Sequence, residues 1–352
     1  MLLGGSAIAL FAGLLLDRLV GDPPWLWRHL PHPVVLFGAA IDRLDRAWNI
    51  STLERRASIR THKGRSRYLL EHRILRKPDS TFRSDAQAES RRRHAGLLAI
   101  GLLTAAAALL GYALQWGLSR LGPSGIALEA CIVAIFLAQG SLRQHVEAVA
   151  MGLSRSLADG HHAVSMIVGR DPEQLDEAGV CRAAIESLAE NTSDGVVAPF
   201  LYAALFGLPG LLAYKMINTA DSMIGHMSPR HRAFGMGAAR LDDLVNWPAA
   251  RSTALLFALV AFDRRSWRIA RRDAPMHRSP NAGWPEAAMA AALGLSLGGP
   301  RRYGDLAVDA PCIHAEGRRQ ARIDDIDRAL VLYGRTCSAL AAIAVLLVFA
   351  SA

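Results

Sequence analysis

Apolar residues in this chain come in long blocks rather than in short alternations, a pattern that predicts helices crossing a lipid bilayer. The clearest block is residues 95–118, 24 residues without a charge. At ~1.5 Å per residue it reaches about 36 Å, more than the ~30 Å hydrocarbon core. Residues 196–214 form a second uncharged run, interrupted by Pro199, Gly207, Pro209 and Gly210. Residues 338–352 and 2–16 are shorter and strongly apolar, and 126–142 carry one acid, Glu129. Residues 252–262 and 284–297 are weaker candidates. The pattern predicts an all-α polytopic integral membrane protein, one membrane-embedded domain over residues 1–352. Four to five spanning helices are expected, with broken or re-entrant and interfacial helices besides. Irregular backbone at membrane depth is tolerated only where protein or a polar cavity covers it.

Composition supports this reading. Of 352 residues, 51% are hydrophobic and 20% charged, which excludes a disordered chain or a collagen-like fibre. No two of the four cysteines form a CxxC pair, so neither a disulfide scaffold nor a thiolate zinc site is expected. The start is apolar, lacks a basic leader and runs into Asp17 and Arg18, as a retained membrane segment would.

Charge sets the expected orientation. Residues 51–94 carry a net +8 of the chain's +9 and show no sustained apolar period. They read as a flexible basic insert on the cytoplasmic side, able to touch anionic lipid. Nucleic-acid binding is not expected, because Tyr68 and Phe82 are the only aromatics in the run that could stack on bases. Arg264, Arg265, Arg268, Arg271 and Arg272 form a second cytoplasmic cluster. The expected location is the cell (inner) membrane, with the working site facing the cytoplasm.

The chemistry concentrates in a core motif region, residues 182–251. In RAAIESLAENTSDG, Arg182, Glu186, Glu190 and Asp194 recur every fourth residue and fall on one helix stripe. Two like charges gain little unless a cation sits among them, and Asn191 adds an oxygen donor. Carboxylate and amide oxygens suit Mg2+ rather than zinc. A solvated helix face explains the same spacing. In YKMINTADSMIGH, Lys215 is one of three lysines against 37 arginines, and the other two lie in the basic insert. A compact ammonium there fits a phosphate contact; snorkelling at a helix end also explains it. Asn218, Asp221 and Ser222 share a face with Gly225, where a ligand could approach. In FGMGAARLDDLVNWPAAR, Arg240 pairs in spacing with Asp243, and Asp242 with Asn246; Arg251 follows Pro248. Charges at this density beside apolar blocks must be paired, wet or ligand-bound. Two flanking segments add polar groups: GDPPWLWRHLPHP with Asp22 and His32, and MHRSPNAGWPEAAMA with His277, Asn281 and Glu286. No Walker A, GxGxxG or GxSxG pattern occurs.

The segments GDPPW…HP, ESLAENTSDGVVAPF, YKMINTADSMIGH, FGMGAARLDDLVNWPAAR and SPNAGWPEAAMA, in this order, resemble the membrane-bound adenosylcobinamide-phosphate synthase family of cobalamin biosynthesis. The likeness covers residues 1 to about 50 and 95 to about 335. Residues 51–94 look like an expansion over the family pattern, and His226 and His231 stand where tyrosine is common. The resemblance implies an ATP-dependent amide-forming ligase. It would join adenosylcobyric acid to (R)-1-aminopropan-2-ol phosphate, using ATP and Mg2+, through an acyl phosphate.

On that reading Glu190, Asp194 and Asp221 are metal ligands, assisted by Asn191, Asn218 and Asp242. Lys215 and Arg240 hold phosphates, and Asp243 or Glu186 takes the amine proton. Arg251 contacts aminopropanol phosphate, His277 and Asn281 the corrin amides, and Asp22, His32, Asn246 and Glu286 complete substrate binding. Expected partners are the corrinoid substrate, aminopropanol phosphate and membrane lipid; a homo-oligomer or other enzymes of the pathway stay open. Two other classes also stay open: an Mg-dependent prenyltransferase-like membrane enzyme and a non-catalytic corrinoid-binding scaffold. Neither would consume ATP.

Overall fold

The computed structural model describes residues 2–49, 78–169, 172–226, 228–299, 301–303, 306–308 and 310–351. The part of the basic insert at 51–77 lies outside them. The fold is almost wholly helical, as the apolar blocks predict. Among the described residues, four segments are long and apolar enough to cross a membrane: Ala86–Leu121, Pro123–Leu153, Glu177–Ile224 and Ile323–Ser351. Contacts divide the chain into two compact units.

The first unit contains residues 1–29, 108–214 and 243–352. Helix α1 (Leu2–Val20) lies along α4 (Pro123–Phe136). Gly13 permits the approach, since a Cβ there would stand 2.7 Å from Val133 Cγ1 and 2.9 Å from the Ala130 carbonyl oxygen. Without a hydrophobic drive inside lipid, small residues at such crossings let dispersion hold the helices. The Asp17 carboxylate accepts the Gln139 N–H at 2.7 Å and so caps α5 (Gln139–Leu153). A short helix α6 (Leu157–Ser165) precedes α7 (Glu177–Thr192), which opens on Asp176 accepting the Gly179 N–H at 2.7 Å. Helix α7 is buried along most of its length and runs into a wide π turn, Ser193–Val197.

Helix α8 (Ala198–Ile224) is broken at Gly207, whose φ of 65° only glycine adopts freely, and Pro209 follows. Gln115, near the end of α3 (Pro78–Leu118), accepts the Leu208 N–H at 3.2 Å and so satisfies the broken ladder. This is the discontinuous helix the prolines and glycines predict. Helix α9 (Met236–Val260) follows, then α10 (Arg264–Asp273), capped by Asp263. Helix α10 packs on α11 (Gly283–Leu293), with Trp267 against Trp284 at 5.6 Å between ring centres. The weak candidate span at 284–297 is corrected here: α11 has 11 residues, about 16 Å, and stops at Gly294 with φ 70°. Two short antiparallel pairs come next, β1 (Leu297–Gly298) with β4 (Cys312–Ile313) and β2 (Arg301–Tyr303) with β3 (Leu306–Val308). Helix α12 (Ile323–Ser351) closes the chain and lies against α1, α5 and α7.

The second unit contains residues 30–107 and 215–242. Helix α2 (Pro33–Trp48) starts with the His32 ring accepting the Val34 N–H at 3.2 Å. Residues 78–94, expected to belong to an unstructured insert, form the first turns of α3. The unit is tied by Asp45, which accepts from Arg230 at 2.8 Å and from Asn49 at 2.7 Å. Arg92 donates to Asn49 and to the Arg230 carbonyl, so the basic stretch has a structural task in this unit. Burial alone would raise the Asp45 carboxyl. Hydrogen bonds from Asn49 and Arg230 and the charges of Arg230 and His231 outweigh it and hold the group below the usual carboxylate value.

Candidate functional site

In the first unit the acidic stripe of α7 runs from buried to exposed. Glu186 is buried and accepts the Gly298 N–H at 2.8 Å. That bond makes it a brace for β1 and weakens its claim as a proton acceptor. Arg182 donates to the Arg319 carbonyl at 2.7 Å. Glu190 and Asn191 are exposed at the far end. The Asn191 amide is oriented by the Ser187 carbonyl, 2.9 Å away, and borders a cavity of about 400 Å³ that Ser141, His145 and Gly195 also line.

The π turn then places Asp194. Its backbone carbonyl lies 2.9 Å from the Tyr214 hydroxyl, which is also 2.9 Å from the Asn246 side-chain amide. One hydroxyl carries one proton. It faces two acceptors, the Asp194 carbonyl oxygen and the Asn246 Oδ1, and shares its proton between them. π turns recur at functional positions because the widened turn re-aims side chains. Here Tyr214, itself stacked on Tyr202 at 5.3 Å, holds the turn to α9. The spacing analysis did not single out Tyr214; its place at the polar end of an apolar run was the available signal.

A second cluster of the first unit surrounds Arg251. Its guanidinium sits 4.4 Å from the centre of the Trp247 ring and 4.7 Å from that of Trp284. It also donates to the Asn281 side-chain oxygen at 3.1 Å, while the Asn281 NH2 donates to the Asp243 carbonyl at 2.8 Å. Arg251, Asn281 and the Asp243 backbone are therefore brought together. Trp247 stands four residues before Arg251, and this i, i+4 spacing would have revealed the stack. Burial pushes the Asp243 carboxyl up. His277 Nε2 lies 3.7 Å from the buried Glu286 carboxylate. Asp22 lies just past α1, partly buried.

In the second unit Asn218 donates to the buried Asp242 carboxylate at 3.4 Å. Lys215 and Asp221 are partly buried on the same helix, and Arg240 is exposed. At Gly225 a Cβ would run into the Asp221 carboxylate and stand 2.7 Å from the Asp221 carbonyl oxygen. His32 serves as a helix cap.

Among the described residues no three His, Cys, Asp or Glu side chains gather to hold a metal ion. The protein therefore offers no cage of its own there. Oxygen donors such as Glu190, Asn191 and Asp194 fit Mg2+ in another way. This ion takes one or two carboxylates and fills its remaining positions with water and substrate phosphate.

Relatives agree with the motifs. The chain is 50% identical over 349 residues to "Cobalamin biosynthesis protein CobD" of Sinorhizobium fredii (strain NBRC 101917 / NGR234), covering 97% of this chain and 96% of that protein. It is 48% identical over 339 residues to the protein of the same description from Brucella suis biovar 1 (strain 1330), with 94% and 93% covered. The corresponding protein of Rhodobacter capsulatus is 41% identical over 322 residues, with 91% and 90% covered. No solved structure matches. Residues 10–333 match the family described as CobD/Cbib protein, and the chain belongs to that membrane-type family of cobalamin biosynthesis.

Proposed function

We propose that this protein is an ATP-dependent ligase that joins adenosylcobyric acid to (R)-1-aminopropan-2-ol phosphate, giving adenosylcobinamide phosphate. Membership of the cobalamin family over residues 10–333 carries the reading. The oxygen-donor set and the placement of a rare lysine at Lys215 support it.

A carboxylate does not condense with an amine near neutral pH until its oxygen becomes a leaving group. A carboxylate oxygen of the corrinoid attacks the γ-phosphorus of ATP, and the bond to the β-bridging oxygen breaks to release ADP. The amine nitrogen then attacks the acyl carbon, the C–O bond to phosphate breaks and the ammonium proton leaves. Mg2+ would neutralise phosphate charge when held beside Glu190, Asn191 and Asp194, with Asn218, Asp221 and Asp242 as the further candidates. Lys215 and Arg240 bind phosphate oxygens by charge-assisted hydrogen bonds. Asp243 takes the ammonium proton, a role suited to a carboxyl raised by burial. Arg251, stacked and hydrogen-bonded, presents its remaining N–H groups to the aminopropanol phosphate, and Asn281 and His277 orient corrin amides. We place the reaction on the cytoplasmic side of the inner membrane, where ATP is available, and the basic clusters support that orientation.

Purified protein with both substrates and Mg-ATP is expected to release ADP over many turnovers only when acid and amine are both present. Asp194→Ala and Lys215→Ala are expected to abolish product while keeping wild-type helicity. Full turnover by both variants would remove these residues from the mechanism. Amide formation without ATP would reject the ligase.

A further inference from the structure

Within the first unit, three chain segments where an apolar run meets charged residues come together at one groove of about 440 Å³. The apolar start of α1 ends at Asp17, whose carboxylate is taken up by the Gln139 N–H, and Arg18 follows. The apolar end of α9 is followed by Phe262, then by Asp263, which caps α10, and Arg264. On α12, Arg335 precedes the apolar run that begins at Ser338. Arg18, Phe262 and Arg335 all line the groove, with Val260 and Val331 as apolar wall and no acidic residue among the described lining residues. Arg18 donates to Ser338 Oγ at 3.0 Å, which ties α1 to α12 at this level.

Two features set the groove apart from an ordinary surface. Phe262 is 92% exposed and held at φ 54°, a strained conformation for a bulky residue. An exposed ring on strained backbone is costly in water and favourable at the headgroup level of a bilayer. The groove also opens at Gly334, where a Cβ would meet nothing within 4 Å. Cations from two separate helices beside an apolar wall, at the boundary of three apolar segments, match the chemistry of a phospholipid rather than of a soluble anion.

We propose that this groove binds an anionic phospholipid of the surrounding leaflet. The phosphate is held by the Arg18 and Arg335 guanidiniums, and an acyl chain lies along Val260, Phe262 and Val331. None of these residues takes part in the proposed ligase chemistry, so the two readings stand or fall separately.

The test uses the full chain, purified in detergent and titrated with phosphatidylglycerol, phosphatidylcholine or inorganic phosphate. Bound lipid is counted by native mass spectrometry, and the melting midpoint is read in parallel. Phosphatidylglycerol is expected to bind and raise the midpoint, and neither of the others to do so. Arg335→Gln removes one guanidinium and is expected to weaken phosphatidylglycerol by roughly fivefold. Gly334→Leu fills the groove mouth and is expected to weaken it at least as much. Both variants should match wild type without lipid. Arg264→Gln, outside the groove lining, should leave affinity unchanged. Equal binding of phosphatidylcholine, a full shift with inorganic phosphate, or wild-type affinity in both groove variants would overturn the proposal.

Discussion

Replacing Tyr214 by Phe tests the part of the site that geometry defines best. The hydroxyl links the Asp194 carbonyl at the π turn to the Asn246 amide on α9, at 2.9 Å to each. Tyr214 and Asn246 are each 1% exposed, so water cannot replace the lost oxygen without disturbing the packing. Removing the partner of a buried polar group costs about 1–3 kcal/mol. Two acceptors, the Asp194 carbonyl and the Asn246 Oδ1, lose their shared donor here. We therefore expect a destabilisation of about 2–4 kcal/mol, read as a thermal midpoint several degrees lower in detergent. Asn246→Leu removes the amide with little change in volume. A double-mutant cycle with Tyr214→Phe should show a coupling of about 1 kcal/mol, because the second change removes a group that has already lost this bond. The proposed ligase activity should fall more steeply than stability, since the turn carries Asp194. A Phe variant as stable and active as wild type, with additive effects in the cycle, would refute the bracing role of Tyr214.

Other expectations follow from single contacts. Arg251→Lys keeps the charge but loses the planar stack between Trp247 and Trp284. It should cost about 1–2 kcal/mol and change tryptophan fluorescence, whereas a silent spectrum would contradict the stack. Gly225→Ala puts a methyl group against the Asp221 carboxylate and should impair activity before it impairs folding, as compared by turnover and melting. The Asp45 carboxyl is held below its unfolded value, so its stabilisation is present above the ordinary carboxylate range and is lost as pH falls through the lower folded value. Melting of wild type should therefore lose stability, as pH falls below about 4, more steeply than melting of Asp45→Asn. Parallel curves would exclude Asp45 as a contributor.

Much of this architecture was readable from residue order. Long uncharged blocks force helices because lipid satisfies no backbone groups, and Gly207 with Pro209 announced the break in α8. The length of α11 was not readable, because a buried soluble-type helix and a membrane segment share composition at 284–297. Nor was the helix over 78–94: its charges obscure any apolar period, and Arg92 is fixed by contacts with Asn49 and the Arg230 carbonyl that lie far away in sequence. At the site, spacing identified charged residues and passed over the aromatics that hold them. Glu186 shares its stripe with Glu190, yet its carboxylate accepts the Gly298 N–H, 112 positions away. Helical periodicity says which face a residue occupies, not what the rest of the chain brings to it.

Oxygen transfer tests the acyl-phosphate account most directly. With adenosylcobyric acid carrying 18O in the reacting carboxylate, the account predicts that the inorganic phosphate released with each amide contains one carboxylate-derived oxygen. Phosphate free of label, with amide still formed, would contradict it.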